Sequence, residues 1–280
     1  YNLDQYCHDR PMARTVADTA LLEDVIAGRH WCDTASLADP PQVAGAGSDV
    51  RGLRIALCVR LGDWPLDDGI EANTRAVAAH LAAAGATVTE VTLPWSADHI
   101  WEVANAHFNT IMGAGIAAIV EEHAAELNDY THAFAASVTA PGLSFYEGME
   151  AEGDLWLPLG RLFEAHDVVL CPTMATAGYV AGQAYLGDSF AIGGSTVSHH
   201  ILGAMTLPFN MFSRCPVLSV PSGRAGNGVP TGVQIVGRPY DDVTAFRVAA
   251  AAEGAGAGFT QPGWRPAGLP WPAGLPSVTR

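Results

Sequence analysis

The sequence predicts an α/β fold in which short apolar strands alternate with longer helices. Three observations support this prediction: a strand–helix–strand pattern over residues 53–93, an isolated apolar strand at residues 167–170, and a strand pair within residues 217–236. A chain of 280 residues can bury one large core or two smaller ones. We expect residues 1–260 to form one domain, followed by a loosely packed tail over residues 261–280 that repeats Pro-Ala-Gly-Leu-Pro.

The first predicted element is an amphipathic helix over residues 12–28, and Gly28 suits its C-terminus. Its apolar positions recur at helical spacing, and they are Met12, Val16, Ala20, Leu21 and Val25. After a connection rich in Pro, Ala, Gly and Asp, residues 53–59 read as a strand, 70–84 as a helix and 86–93 as a second strand. This order is typical of a parallel pair.

The second part of the chain continues the alternation. Residues 97–127 and 144–165 are predicted helices, residues 178–194 a Gly-rich loop, and residues 199–210 a helix limited by Pro208. Two short strands at residues 217–220 and 232–236 are joined by a loop with Pro and Gly turn residues, and a last helix covers residues 241–253.

Composition excludes several classes of partner. The formal net charge of −15 repels phosphate backbones and anionic membrane surfaces, so we expect no nucleic acid partner. No stretch approaches the ~20 apolar residues of a membrane span, and we expect no membrane partner. The five cysteines are scattered without metal-ligand spacing, so we expect reduced core thiols in a cytoplasmic protein, with no metal and no cofactor.

Five short strings, in this order, resemble the downstream half of the amidase signature family. They are Pro-Met-Ala-Arg-Thr-Val at residues 11–16, Asp-Val-Val-Leu with Pro-Thr at 167–173, Leu-Pro-Phe-Asn at 207–210, Leu-Ser-Val-Pro-Ser-Gly at 218–223 and Gly-Val-Gln-Ile-Val-Gly at 232–237. No single string is specific, but together they span most of the chain. One departure is Arg10, which stands where the family usually has a glycine before the Pro-Met pair.

The resemblance implies a large mixed β-sheet flanked by helices, of which this chain would be the C-terminal portion. It also implies hydrolysis of a carboxylic amide through an acyl-enzyme, in which a Ser attacks, a second Ser on a cis peptide relays the proton and a Lys is the base. That chemistry is sound because a hydroxyl is a weak nucleophile without an adjacent base. A desolvated neutral Lys can be that base.

In the family pattern all three catalytic residues lie upstream of the position that corresponds to Tyr1. The resemblance therefore places none of them in this sequence. All 14 basic residues are arginine, which stays protonated at any working pH. We therefore expect a fragment that is inactive alone and needs an upstream segment or second chain carrying Ser, Ser and Lys; a homodimer is a further expectation. The only local alternative is Ser195 near His199 or His200, in a string that does not fit Gly-x-Ser-x-Gly.

The substrate-binding residues are also assigned by resemblance. Thr173, Met174 and the segment running from His200 through Gly203 to Leu207 are expected along the acyl-binding channel, with plain packing as the alternative.

The same resemblance discriminates between substrates. Glutamine-using amidotransferase subunits hold an amino-acid head group with an Asp at the position matching Gly203 and an Arg near the position matching Glu152. Here Gly203 has no side chain and Glu152 has the wrong charge, so we expect a small-molecule amide with an apolar or aromatic acyl group. The rival hypotheses are a non-catalytic partner with the amidase fold and, less favoured, a glutamine amidotransferase subunit.

Overall fold

A computed structural model of the protein describes residues 4–183, 185–186 and 190–255. The predicted tail at residues 261–280 lies outside the described residues. The helices and strands are α1 (Val16–Ile26), β1 (Arg54–Leu57), α2 (Asp68–Ala83), β2 (Thr87–Glu90), α3 (Ala97–Ile111), α4 (Gly113–His123), α5 (Asp129–Ser137), α6 (Phe145–Ala165), β3 (Val168–Pro172), β4 (Ala191–Ile192), β5 (Ser195–Thr196), α7 (Leu207–Met211), β6 (Val217–Arg224), β7 (Pro230–Gly237) and α8 (Asp242–Glu253).

The main sheet has five strands among the described residues, in the order β2-β1-β3-β7-β6. Strands β2, β1 and β3 are parallel, whereas β7 runs antiparallel to both β3 and β6. Every residue of the central strand β3 is buried, as its continuous apolar sequence requires. Helices α2 and α8 pack on the sheet, and α3 packs against α6 and α7. The predicted mixed sheet flanked by helices is confirmed.

Local signals in the sequence account for several helix boundaries. Helix α6 begins with a capping box, in which the Ser144 hydroxyl accepts from the Glu147 N–H and the Glu147 carboxylate accepts from the Ser144 N–H. The Asp241 carboxylate caps α8 by accepting from the Thr244 N–H at 3.2 Å. These two predicted helices therefore begin where the sequence indicated.

The first predicted helix was wrong at its N-terminus. Helix α1 begins at Val16 because the Thr15 hydroxyl accepts from the Asp18 N–H, and Met12 lies before it with 93% of its surface exposed. Only two of the predicted apolar positions, Val16 and Ala20, are buried. Most of the opposite apolar face is exposed among the described residues, with Leu21 at 60% and Val25 at 78% exposure.

The predicted long helical region over residues 97–127 is helical, with one sharp bend. The helical segments Ala97–Ile111 and Gly113–Glu126 meet at a bend of 60°. At the bend a Cβ on Gly113 would lie 2.7 Å from the side chain of Val138, the residue that follows α5. The glycine therefore allows Val138 to pack against the bend. Helix α5 itself was missed, and the predicted Gly-rich loop extends only to the short hairpin of β4 and β5.

Among the described residues, no single helix has the length and apolar character needed to cross a membrane, although the bent pair just described passes that test jointly. The expectation that all cysteines are core thiols was wrong for two of them. Cys7 and Cys32 are exposed, whereas Cys58, Cys171 and Cys215 are buried.

Candidate functional site

The candidate site lies where the buried central strand β3 ends. Beyond Pro172 the chain continues alongside β7, and the Thr173 N–H donates to the Gly232 carbonyl at 3.0 Å. The Met205 N–H donates to the Thr173 carbonyl at 3.1 Å, and the Ala175 N–H donates to the Gly203 carbonyl at 2.8 Å. The segment after β3 therefore lies alongside residues 203–205, although the two segments are about thirty residues apart in sequence.

Two buried side chains fix this arrangement. The Gln234 side-chain Nε2 donates two hydrogen bonds to backbone carbonyls. The acceptors are Pro172 at 2.9 Å and Met205 at 2.8 Å. The Trp64 indole N–H donates to the Leu202 carbonyl at 2.7 Å. Gln234 and Trp64 are fully buried, so each bond satisfies a polar group that water cannot reach. These bonds connect the segments that form the site to the buried core.

A cavity of about 670 Å³ opens in front of these segments. Met174 and His200 contribute to its walls, together with three tyrosines, Tyr130, Tyr179 and Tyr185. The described wall residues include no Asp, Glu or Arg. A volume of this size and a wall of rings suit a small organic molecule rather than an ion.

The rings of the cavity are arranged around His200. Their centroids lie 5.6 Å from the imidazole for Tyr130, 6.2 Å for Tyr179 and 6.0 Å for Tyr185. The Tyr179 hydroxyl donates to the His200 carbonyl at 2.8 Å, which fixes that ring. Such spacings are those of interacting aromatic pairs.

Burial keeps the histidines of the site neutral. It lowers the pKa of His200 from its usual 6.5, although a hydrogen bond with the Tyr185 backbone opposes the shift. Burial, with a smaller effect of His200, lowers the pKa of His199 to about 4. Burial raises the pKa of Tyr179 to about 12, and its tyrosine neighbours add to the shift. At neutral pH the cavity therefore presents uncharged rings.

The structure brings some of the predicted site residues together and separates others. Met174 and His200 share the cavity, and Gly203 lies behind it, under the Tyr179 hydroxyl. The Thr173 hydroxyl instead faces β6, 2.9 Å from the Ser219 hydroxyl. Leu207 is the buried first residue of α7 and packs in the hydrophobic core.

Sequence reasoning missed the tyrosines that form most of the aromatic wall. Tyr179 and Tyr185 fall in the stretch that was predicted to be a plain loop, and Tyr130 lies on the helix α5 that was missed. Closely spaced aromatic residues in a Gly-rich segment are the signal that could have indicated them, because exposed loops rarely carry large rings without a partner.

The local alternative of Ser195 as a nucleophile lacks geometric support. Ser195 is exposed on β5, and no hydrogen bond joins it to either neighbouring histidine among the described residues. The Nδ1 atom of His199 already accepts from the Ile201 N–H at 3.2 Å, and its ring stacks on Trp101 at 4.4 Å. In the part of the chain that the structure describes, no three His, Cys, Asp or Glu side chains cluster as metal ligands would.

Comparison with known proteins gives one family. The family model described as Amidase matches residues 5–246. An acylamidase of Rhodococcus erythropolis is 28% identical over 255 residues, which cover 88% of this chain and 51% of that protein. A glutamyl-tRNA(Gln) amidotransferase subunit of Exiguobacterium sibiricum is 28% identical over 277 residues, or 90% of this chain and 56% of that protein.

Solved structures agree on the fold. The crystal structure of a bacterial aryl acylamidase of the amidase signature enzyme family superposes with a TM-score of 0.78 at 24% identity, covering 88% of this chain and 52% of that one. This likeness concerns the fold alone. The chain spans about half the length of the curated relatives it matches.

Proposed function

The chain belongs to the amidase family, and from that premise we propose that it is the C-terminal portion of an amide hydrolase for amides with an apolar or aromatic acyl group. The observation that carries the proposal is the uncharged, ring-lined cavity at the end of β3. Met174 and His200 would contact the acyl group there, and Gly203 would leave the room that the Tyr179 ring occupies. Thr173 and Leu207 would support the walls from β6 and from the core.

The proposed chemistry is acyl transfer to a serine outside these 280 residues. A nucleophilic Ser, a relaying Ser and a Lys base would come from an upstream segment or a second chain, because this sequence has no lysine. A cytoplasmic location and a homodimer belong to the same proposal. This chain's part would be to bind the acyl group, exclude water from it and orient the carbonyl.

The second candidate is a glutamine amidotransferase subunit, favoured by the similarity to proteins that bear this name. The site offers little to an amino-acid head group. A Cβ at position 203 would lie 2.1 Å from the Tyr179 hydroxyl oxygen. The Tyr179 ring therefore occupies the space that an Asp side chain at this position would need. Glu152 is bonded to the Tyr6 hydroxyl, away from the cavity, and burial raises the pKa of its carboxyl. Neither position supplies an ion pair for a zwitterion.

A third candidate is a non-catalytic chain that keeps the fold. The absence of lysine from this sequence agrees with it as well as with catalytic residues supplied from elsewhere. Assays on the full gene product that contains these residues separate the two, because only the hydrolase releases ammonia from an amide.

The proposal is tested by kcat/KM for benzamide and for glutamine, measured on that full gene product. We expect benzamide to be favoured by roughly tenfold or more, about 1.4 kcal/mol in transition-state binding. A tenfold preference for glutamine would support the amidotransferase instead. Hydrolysis of neither would support the non-catalytic chain.

A further inference from the structure

The carboxylate of Asp67 binds the backbone on both sides of the aromatic wall. Its Oδ2 atom accepts from the Ala177 N–H at 3.2 Å, and its Oδ1 atom accepts from the Gly193 N–H at 2.8 Å. The Asp67 N–H in turn donates to the Ala175 carbonyl at 3.0 Å. The two carboxylate bonds, here called the Asp67 clasp, join positions 177 and 193, which are far apart in sequence. Bonds to a charged acceptor are the stronger kind of hydrogen bond.

Asp67 does not play the ordinary role of an aspartate that precedes a helix. It is the N-cap residue of α2, where an aspartate side chain usually accepts from a backbone N–H of its own helix. Within α2, every residue of which the structure describes, the Asp67 side chain makes no such bond. The half-buried carboxylate is directed instead at the segment that forms the cavity wall.

The Gly193 end of the clasp packs directly on the backbone that leads into α2. Gly193 has a φ of +55°, and a Cβ there would lie 2.4 Å from the carbonyl oxygen of Leu66. Glycine alone adopts this conformation at this distance without strain or a clash. The close approach keeps the Gly193 N–H within reach of the Asp67 carboxylate.

Each end of the clasp lies close to a ring beside the cavity. Ala177 precedes Tyr179 by two residues, and Gly193 follows Phe190 by three. The rings of Tyr179 and Phe190 are stacked, with centroids 5.3 Å apart and an interplanar angle of 22°. Phe190 also meets Tyr185 edge-on at 5.2 Å and packs against the hydrophobic core. The clasp therefore holds the backbone on both sides of the stacked pair.

We propose that Asp67 is a positioning residue for the aromatic wall, and that it sets the preference of the site for aromatic acyl groups through Phe190 and Tyr179. This inference rests on the proposed function, because it concerns substrate preference at the same site. Asp67 is not among the described wall residues of the cavity, whereas Tyr179 is. The carboxylate acts on the substrate through the rings, by keeping the Tyr179 ring where an aromatic acyl group packs against it.

A carboxylate that only stabilised the fold would affect every substrate alike. Loss of folded protein removes active molecules, so it lowers the rates for aromatic and aliphatic amides by the same factor. Loss of the wall weakens the binding of aromatic groups alone, and a loss of uniform binding raises KM with kcat unchanged. A comparison of benzamide with acetamide, whose acyl group has no ring, therefore separates the two roles.

The variants are Asp67→Ala, which removes both acceptors, and Asp67→Asn, which keeps one. Steady-state kinetics of the full gene product are measured with both amides. We expect Asp67→Ala to raise KM for benzamide by roughly tenfold, with kcat and the kcat/KM for acetamide within about twofold of the wild type. Asp67→Asn should raise KM for benzamide by roughly threefold, because one bond of the clasp remains. Asp68→Asn is the matched control, since Asp68 is the exposed aspartate next in the chain.

A second pair of variants tests the clasp from its other end. Gly193→Ala places a methyl group against the Leu66 carbonyl and should reproduce the effect of Asp67→Ala. Gly194→Ala is its control, because Gly194 also has a positive φ, of +79°, but no atom of a described residue lies within 4 Å of its Cβ position. Both substitutions strain the backbone, so a difference between them reports the displacement of the clasp.

Hydrogen exchange measures the clasp without any substrate. The amides of Ala177 and Gly193 should exchange roughly tenfold or more faster in Asp67→Ala than in the wild type, and at the wild-type rate in Asp68→Asn. Unchanged exchange at both amides overturns the clasp. A KM for benzamide that does not rise, or a loss that acetamide shares equally, overturns the positioning role.

These failures are distinct from a failure of the proposed function. A gene product that hydrolyses both amides with the same preference in every variant refutes only the inference. A gene product that hydrolyses neither amide refutes only the hydrolase, and the dissociation constants of the two amides then replace KM. In that case Asp67→Ala should bind benzamide roughly tenfold more weakly with acetamide unchanged, and benzamide binding that does not weaken overturns the inference.

Discussion

Tyr179 and Gly203 form the most closely coupled pair of residues at the site, because the Tyr179 ring occupies the volume that a side chain at position 203 would need. We therefore expect a substitution at Gly203 to act through the aromatic wall. Gly203 does not have a positive φ, so a side chain at this position would not strain the backbone. The displacement of Tyr179 can therefore be measured without a contribution from backbone strain.

We predict that Gly203→Ala lowers kcat/KM for benzamide by roughly tenfold, about 1.4 kcal/mol, because the new methyl group must push Tyr179 out of the wall. The measurement is steady-state kinetics of the full gene product. Gly153→Ala is the matched control, since Gly153 lies on α6 with no atom within 4 Å of its Cβ position. An unchanged kcat/KM in Gly203→Ala would contradict the coupling.

A second residue-scale feature is the buried carboxylate of Asp4, which anchors the described N-terminal segment to α3. It accepts from the Tyr6 N–H at 3.0 Å, from the Cys7 thiol at 3.0 Å and from Nε2 of His107 at 2.7 Å. Burial acts to raise the pKa of Asp4, but these hydrogen bonds outweigh it and the pKa is lowered below 3.8.

We predict that Asp4→Asn lowers the free energy of unfolding by about 2–3 kcal/mol at pH 7, because a buried charged acceptor with three donors is lost. A lowered folded-state pKa stabilises the protein above the unfolded-state pKa, and this contribution disappears as the pH falls through the folded value. The difference from the wild type should therefore shrink below about pH 4. Urea unfolding at several pH values measures it.

The exposed Asp39 supplies the control for that prediction, since Asp39→Asn should change stability by less than about 0.5 kcal/mol. An Asp4→Asn protein as stable as the wild type at pH 7 would show that the buried hydrogen bonds do not anchor the segment.

At the scale of elements, the sequence predicted what local patterns determine. The buried strand β3 and the parallel pair of β1 and β2 were identified, and so were the helices α6 and α8. The pattern failed where distant packing decides. The break at Gly113 depends on Val138, and the aromatic cavity depends on a crossing between residues 173–175 and 203–205 that no local spacing reveals.

Helix α1 is a second case in which the local sequence pattern did not predict which residues are buried. Its sequence was read as an ordinary amphipathic helix, yet much of its apolar surface is exposed, with Leu21 and Val25 among the uncovered residues. Strand β6 likewise ends the sheet without a further strand among the described residues. Exposed apolar faces and open strand edges favour association.

We predict that residues 1–280 expressed alone are poorly soluble and that Leu21→Gln with Val25→Gln raises the soluble fraction. Size-exclusion chromatography of the two proteins measures this. Leu157→Gln is the control, because Leu157 is a similarly exposed apolar residue on another helix, α6. A well-behaved monomer of the unmodified chain with cooperative thermal unfolding would contradict the prediction.

At the scale of the whole molecule, family membership and the missing base must be reconciled. The chain matches the amidase family over most of its length but spans about half of its curated relatives. It contains an aromatic-lined cavity, which we propose binds an acyl group, and it has no lysine to activate a serine. The proposed function reconciles the two by giving this chain the binding of the acyl group and residues outside it the proton transfers.

The most direct test is labelling with a serine-reactive fluorophosphonate, with benzamide turnover assayed in parallel, on residues 1–280 and on the full gene product. The account predicts that residues 1–280 take up no label and release no ammonia. The full gene product should be labelled at a serine outside these residues and should hydrolyse benzamide. Stoichiometric labelling of Ser195 in residues 1–280, with turnover abolished by Ser195→Ala, would contradict the account.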